Sequence, residues 1–374
     1  MSQPSTLAQP SATRDNRIAQ FLRTYYIYFV LVAVVVLLSM ANLDKFDLFE
    51  RGNFLNHRNI INVLRVSAPL LTLAGAFTLL MVSGYIDLSV GSTMGLSAVV
   101  YAMLAINGVP FLAAFALTMV VGAGLGAING FLVVRLKITP VIATLITLSL
   151  FKGVALLLVQ DGVSAIKSGG GLKIPSWFNS YGREGTLLGL PMAFWVAVAV
   201  TLVLVIVQNR TLLGKYAAAT GGNPTAAKLS GINTGKIVML LYVIVGVSAA
   251  LAGIARSSFM SLGDPLLGDG MELSAILVVL IGGTAFSGGE GRVLRSFIGA
   301  LIIMALTVGM LTIIPAYYQT LVLGAALLAA AASNHLISRK ETASRIPVEP
   351  TSIACVAWRA FLPFITKRVA TKPK

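Results

Sequence analysis

The chain is nearly empty of cysteine, histidine and acid. Its single cysteine, Cys355, excludes an internal disulfide and any metal site built from several thiolates. The two histidines, His57 and His335, stand alone near the ends of apolar stretches, where a lone imidazole reads as an interfacial side chain rather than a ligand. No metal site is expected. Charged residues make up 11% of the 374 positions, where a soluble domain carries about 25%. Catalytic signatures are missing too. There is no Gly-x-x-x-x-Gly-Lys-Ser/Thr run, no nucleophile elbow and no His-Glu-x-x-His. Gly214-Lys215 is followed by Tyr216 and lacks the earlier glycine that a phosphate loop needs. The chain is therefore not expected to be an enzyme or to hydrolyse ATP itself.

What the chain has in abundance is apolar surface. Hydrophobic residues reach 57%, and the mean hydropathy is +0.88. Such a chain has little water to face, so one membrane domain of several helices is the natural reading. The net charge of +15 would suggest nucleic acid in a soluble protein. Here the basic residues sit mainly in loops and in the C-terminal stretch, so topology explains them and no nucleic-acid partner is expected.

The expected fold is an all-α polytopic membrane protein of about ten transmembrane helices, some short or broken. The spans are read at 24–43, 66–83, 90–106, 111–134, 140–159, 191–208, 237–257, 273–286, 296–313 and 317–335. The first is too long for the roughly 7–15-residue apolar region of a signal peptide and is read as a helix. Both termini then lie in the cytoplasm. That choice puts 19 Lys/Arg inside and 7 outside, with Lys152 and Arg256 near span ends. Asp44, Asp47, Glu50, Asp161, Glu184, Asp264, Asp269 and Glu272 fall outside. The implied organisation is a polar tail over 1–23, a transmembrane domain over 24–338 and a basic tail over 339–374.

Three stretches break the apolar pattern. The first is Gly84-Tyr85-Ile86-Asp87-Leu88-Ser89-Val90-Gly91-Ser92. An aspartate between two spans is costly unless paired or wet, so Asp87, Ser89 and Gly91 are candidate pathway residues. Asp87 or Ser89 also suits a helix cap. The second is the loop 209–236, which carries Arg210, Lys215, Lys228 and Lys236 and no acid. Its Gly-Gly-Asn-Pro turn leads into a short Ala-rich helix and reads as a docking element. The third is Ile281-Gly282-Gly283-Thr284-Ala285-Phe286-Ser287-Gly288-Gly289-Glu290-Gly291. A short span ending in glycines suits a pathway wall, which adds Gly282, Gly283, Thr284 and Ser287 to the candidates. Separately, Gly122, Gly126 and Gly130 lie at four-residue spacing, a pattern that lets a second helix approach closely.

These three stretches, in this order, resemble the permease subunits of bacterial ATP-binding-cassette sugar importers, the ribose, xylose and arabinose permease family. The resemblance runs from about Asn56 to Ala332. Gly84–Gly91 is similar to that family's Gly-Gly-Ile-Asp-Leu-Ser-Val-Gly signature, with Tyr85 in place of the second glycine. The resemblance implies that Gly221, Gly222, Asn223, Pro224, Ala226, Ala227, Ser230, Gly231 and Ile232 couple the chain to a cytoplasmic ATPase. That partner would bind ATP and Mg, leaving this chain without a cofactor. It further implies a second copy of the chain, a periplasmic sugar-binding protein and a place in the bacterial inner membrane. The loop Asp264–Glu272, with Arg58 and Arg65, is the candidate contact for the binding protein. Permeases for branched-chain amino acids or nucleosides, and ion-coupled secondary transporters, are the competing readings.

Overall fold

The computed structural model describes residues 27–36, 56–160 and 175–310, together with the single positions 321, 324, 325 and 328. The two expected tails, and almost all of the expected span 317–335, lie outside the described residues. The described chain is mostly helical, as its apolar periodicity requires. Five helices are long and apolar enough to cross a bilayer: α2 (His57–Val82), α4 (Phe111–Val134), α5 (Pro140–Gln160), α6 (Met192–Arg210) and α9 (Thr234–Met260). Shorter apolar helices are α1 (Ile27–Val36), α3 (Val90–Ile106) and α11 (Val293–Met310). The chain is thus a polytopic membrane protein.

Local chemistry sets the boundaries. Asn56 caps α2 by accepting the Arg58 N–H at 3.0 Å, so this helix starts nine residues before the expected 66. Pro110 and Pro140 mark the starts of α4 and α5, where a missing N–H costs nothing. Asn233 caps α9 by accepting the Lys236 N–H at 3.0 Å. One small departure from an all-α chain occurs. Thr186–Leu187 pairs antiparallel with Leu190–Pro191, because Leu188 and Gly189 both take positive φ and close a tight turn. Trp195 steadies it by donating to the Leu187 carbonyl at 2.8 Å.

α2 and α9 form the centre. Within their apolar windows 83% and 67% of residues are buried, against 28%, 28% and 22% in α4, α5 and α6. The outer helices present Leu112, Val120, Leu157, Leu202 and Ile206 outward, as lipid-facing helices should. The glycine stripe on α4 packs inside the chain. A Cβ on Gly122 would lie 2.6 Å from the Gly246 carbonyl oxygen, and one on Gly126 would lie 3.0 Å from the Val243 Cα. From the other side, a Cβ on Gly246 would lie 2.8 Å from the Gly126 nitrogen. Two backbones therefore touch along α4 and α9, and only missing side chains permit it.

Gly126→Leu should overpack this seam and destabilise the detergent-solubilised protein by about 1–3 kcal/mol. Gly124→Ala should leave stability unchanged, since nothing lies within 4 Å of a Cβ there. Thermal unfolding of the two variants side by side checks the contrast.

Candidate functional site

The three polar stretches meet at one end of the bundle, which also carries Lys137 and Lys228. α2 stops at Val82, and Gly84 turns the chain with φ +84. The glycine-rich stretch after α10 (Met271–Ile281) folds back on itself, with the Ala285 N–H donating to the Glu290 carbonyl at 3.0 Å. Gly288 and Gly289 take φ +86 and +83, a region closed to most side chains. The Gly289 N–H then donates to the Val82 carbonyl at 2.8 Å. α7 (Leu212–Gly222) ends in the same place. A Cβ on Gly221 would collide with the Val82 carbonyl and lie 2.6 Å from the Gly289 nitrogen. A Cβ on Gly288 would lie 2.9 Å from the Gly84 Cα and 3.1 Å from the Gly221 Cα. Backbones from far-separated parts of the chain thus form a single knot of glycines.

The knot is tied to the bundle by side chains. The Gln208 amide at the end of α6 donates to the Gly291 carbonyl at 2.9 Å and accepts the Val293 N–H at 3.0 Å. The Tyr242 hydroxyl donates to the Ile86 carbonyl at 2.9 Å, fixing the α2–α3 break to α9. Asp87 lies buried beside it. Its Oδ1 accepts from the Ser89 N–H at 2.8 Å and from the Ser89 hydroxyl at 2.7 Å. Asn129 of α4 donates to Asp87 Oδ2 at 3.1 Å and to Ser89 Oγ at 2.7 Å. Asp87 therefore holds the start of α3, as a cap would, and binds it to α4. Ser89 makes no side-chain cap bond of its own.

Beyond the knot projects α8 (Pro224–Leu229), the expected short helix. Asn223 caps it by accepting the Ala226 N–H at 2.9 Å, and Pro224 takes its first turn. Ala227 is buried against the chain itself, while Leu229 is 85% exposed. Gly222, Asn223, Pro224, Ala226, Ser230 and Gly231 are exposed, and Ile232 is half-buried.

The residues expected to line a pathway have packing positions in this chain. Asp87, Ser89, Gly91, Gly282 and Thr284 are buried, Gly283 turns the chain at φ +79, and Ser287 is exposed. Gly282 abuts Ser296, whose nitrogen would lie 2.8 Å from an added Cβ. The sequence reading missed Asn129, Gln208 and Tyr242. Asn129 carried a signal, being the one amide within the apolar run of α4.

The family described as branched-chain amino acid transport system / permease component matches residues 59–331. Among curated proteins, the ribose import permease protein RbsC of Escherichia coli (strain K12) is 34% identical over 80% of this chain and 91% of its own length. The D-allose transport system permease protein AlsC of the same strain is 34% identical over 89% of this chain and 98% of its own. The galactofuranose transporter permease protein YtfT is 38% identical over 67% and 72%. No solved structure matches.

The two glycines opening the coupling turn should respond differently to one methyl group. Gly221→Ala must move backbone and should cost about 1–3 kcal/mol in stability. Gly222→Ala meets nothing within 4 Å and should stay within about 0.5 kcal/mol of the parent. Denaturation midpoints of both variants in one detergent test the difference.

Proposed function

The chain belongs to the family of branched-chain amino acid transport system permease components, and from that premise we propose that it forms the pore of an ATP-binding-cassette importer for a monosaccharide. The curated relatives point to sugar within this family, since their names specify ribose, D-allose, galactofuranose and fructose. In this reading about ten spans cross the bacterial inner membrane, with both termini and the loop 209–236 in the cytoplasm. Two copies of the chain enclose the pathway. A separate ATPase binds ATP and Mg, and a periplasmic binding protein delivers the sugar.

The observation that carries the reading is the glycine knot beneath α8. A docking helix transmits force only if it is attached to the elements that must move. Here the peptide groups at Gly221, Val82 and Gly289 are in contact, so a push on α8 reaches the α2–α3 break and the α10–α11 turn directly. Asn223, Pro224 and Ala226 shape the docking helix, and Leu229 is its apolar tip. Ala227 and Ile232 seat it on the chain, and Gly231 turns the chain after it at φ +82. Closure of the ATPase would tilt α8 and switch the pore between its two access states.

Leu229→Asp should leave membrane insertion and thermal stability intact, because this side chain is 85% exposed. Sugar uptake and substrate-stimulated ATP hydrolysis should both fall by about tenfold, as expected when a buried apolar anchor of an interface is lost. The measurement is made in proteoliposomes with the ATPase subunit and the binding protein. Stimulated hydrolysis at the parental level would refute the coupling role. A tagged parent chain should also bring the ATPase down from native membranes.

A further inference from the structure

α9 ends at Met260, and Ser261 reverses the chain in the left-handed conformation, φ 57. The chain does not stay at the surface after that turn. Pro265–Gly268 forms one 3-10 turn packed against α3. A Cβ on Gly91 would lie 2.5 Å from the Gly268 carbonyl oxygen, and one on Gly95 would lie 3.0 Å from the Pro265 carbonyl carbon. Gly91 belongs to the first turn of α3, at the end opposite the Asn107–Gly108 turn. The segment expected to be an outer loop is therefore re-entrant. It delivers the start of α10 deep into the bundle.

α10 has only 11 residues, a length of roughly 16 Å at 1.5 Å per residue. That is about half of a 30 Å hydrocarbon slab, so its N-terminus lies near mid-depth. Depth can be read independently from α5. Lys152 is twelve residues past Pro140, roughly 18 Å along the helix axis. Its ammonium meets the Asp269 carboxylate at 2.7 and 2.9 Å. Lys152, Asp269, Glu272, Gly270, Ser92 and Leu148 line a cavity of about 270 Å³. The two charged side chains remain 31% and 48% exposed. An ion pair open to this degree at mid-depth cannot face lipid, and irregular backbone at that depth must be buried or beside water. This face looks into an aqueous space.

We propose that Ser92, Lys152, Asp269 and Glu272 form a mid-membrane station at which a neutral polyhydroxylated ligand exchanges water for hydrogen bonds. The station rests on the importer reading and names where in the pore the sugar is handled. Its chemistry suits hydroxyl groups, each of which donates and accepts. Two carboxylates accept, the ammonium donates, and the Ser92 oxygen accepts, its own proton being given to the Ser89 carbonyl at 2.8 Å. Two carboxylates against one ammonium disfavour an anionic ligand. The existing ion pair keeps the station from holding a sugar too tightly to release it.

The single cysteine provides the test. In a Cys355→Ser background, Leu148→Cys and Ser92→Cys are placed in the full transporter in proteoliposomes. Ribose, allose and fructose are offered, and the sugar that the parent takes up is used as the probe. A charged, water-soluble thiol reagent should modify Leu148→Cys, and the probe sugar should slow that reaction by about tenfold, as substrate occupancy of the site requires. Ser92→Cys should behave alike. Asp269→Asn and Glu272→Gln should raise the apparent KM for uptake by about tenfold, with a smaller change in maximal rate. Failure of both cysteines to react in any nucleotide state overturns the station, as does protection by sodium but not by sugar. Either result alongside normal parental uptake leaves the importer reading standing. A parent that takes up no sugar while bound to its ATPase overturns both.

Discussion

Backbone-to-backbone contact is the constraint on which this structure depends. In lipid a helix bundle gains little from hiding apolar side chains, because the hydrocarbon is as apolar as they are. Close packing and satisfied peptide groups must hold it together instead. The chain achieves this with glycine at points where two peptide planes meet. α4 and α9 touch at Gly122, Gly126 and Gly246; α3 touches the re-entrant segment at Gly91, Gly95 and Gly268; and the coupling knot joins Gly84, Gly221 and Gly288. At all of these positions but Gly84 the contact excludes a Cβ, and at Gly84 the positive φ disfavours one.

The same constraint makes the polar end of the bundle stiff. A contact between peptide groups is stiff, since it contains no rotatable side chain to absorb a displacement. The short helix α8 is therefore joined by backbone contacts to the α2–α3 break through Val82 and to the α10–α11 turn through Gly289. Side-chain ties extend that continuity. Gln208 joins α6 to the start of α11, Tyr242 joins α9 to Ile86, and Asn129 joins α4 to Asp87. α10 begins at the re-entrant segment and ends in the knot, so one short helix links the charged cavity to the coupling end.

Much of this was legible in the sequence. The low charge required a membrane domain. The Asn-Pro start and Ala-rich run announced α8, and the glycine spacing announced the α4 seam. Asp87 as a helix tie was visible from the neighbouring serine and glycines. What the sequence did not show is how the segment after α9 packs, with Pro265–Gly268 lying against α3. Asp269 and Glu272, read as outer-loop acids, line one cavity with Ser92 and Lys152, and the Lys152–Asp269 pair stays partly exposed. Hydropathy cannot detect this, because a short turn packed against a helix needs no apolar signature of its own.

Composition and motif order by themselves determined that this chain is a helical membrane protein and that three polar stretches interrupt its apolar runs. These follow from short-range facts: the transfer cost of charge and the residue types that a turn or cap demands. Only the tertiary structure decided that the three stretches are one knot, that Asp87 bonds to Asn129 forty-two residues away, and that Lys152 pairs with Asp269 across 117 residues. Such pairings depend on which helices become neighbours. That choice is made by the fit of many small side chains at once, and no local pattern encodes it.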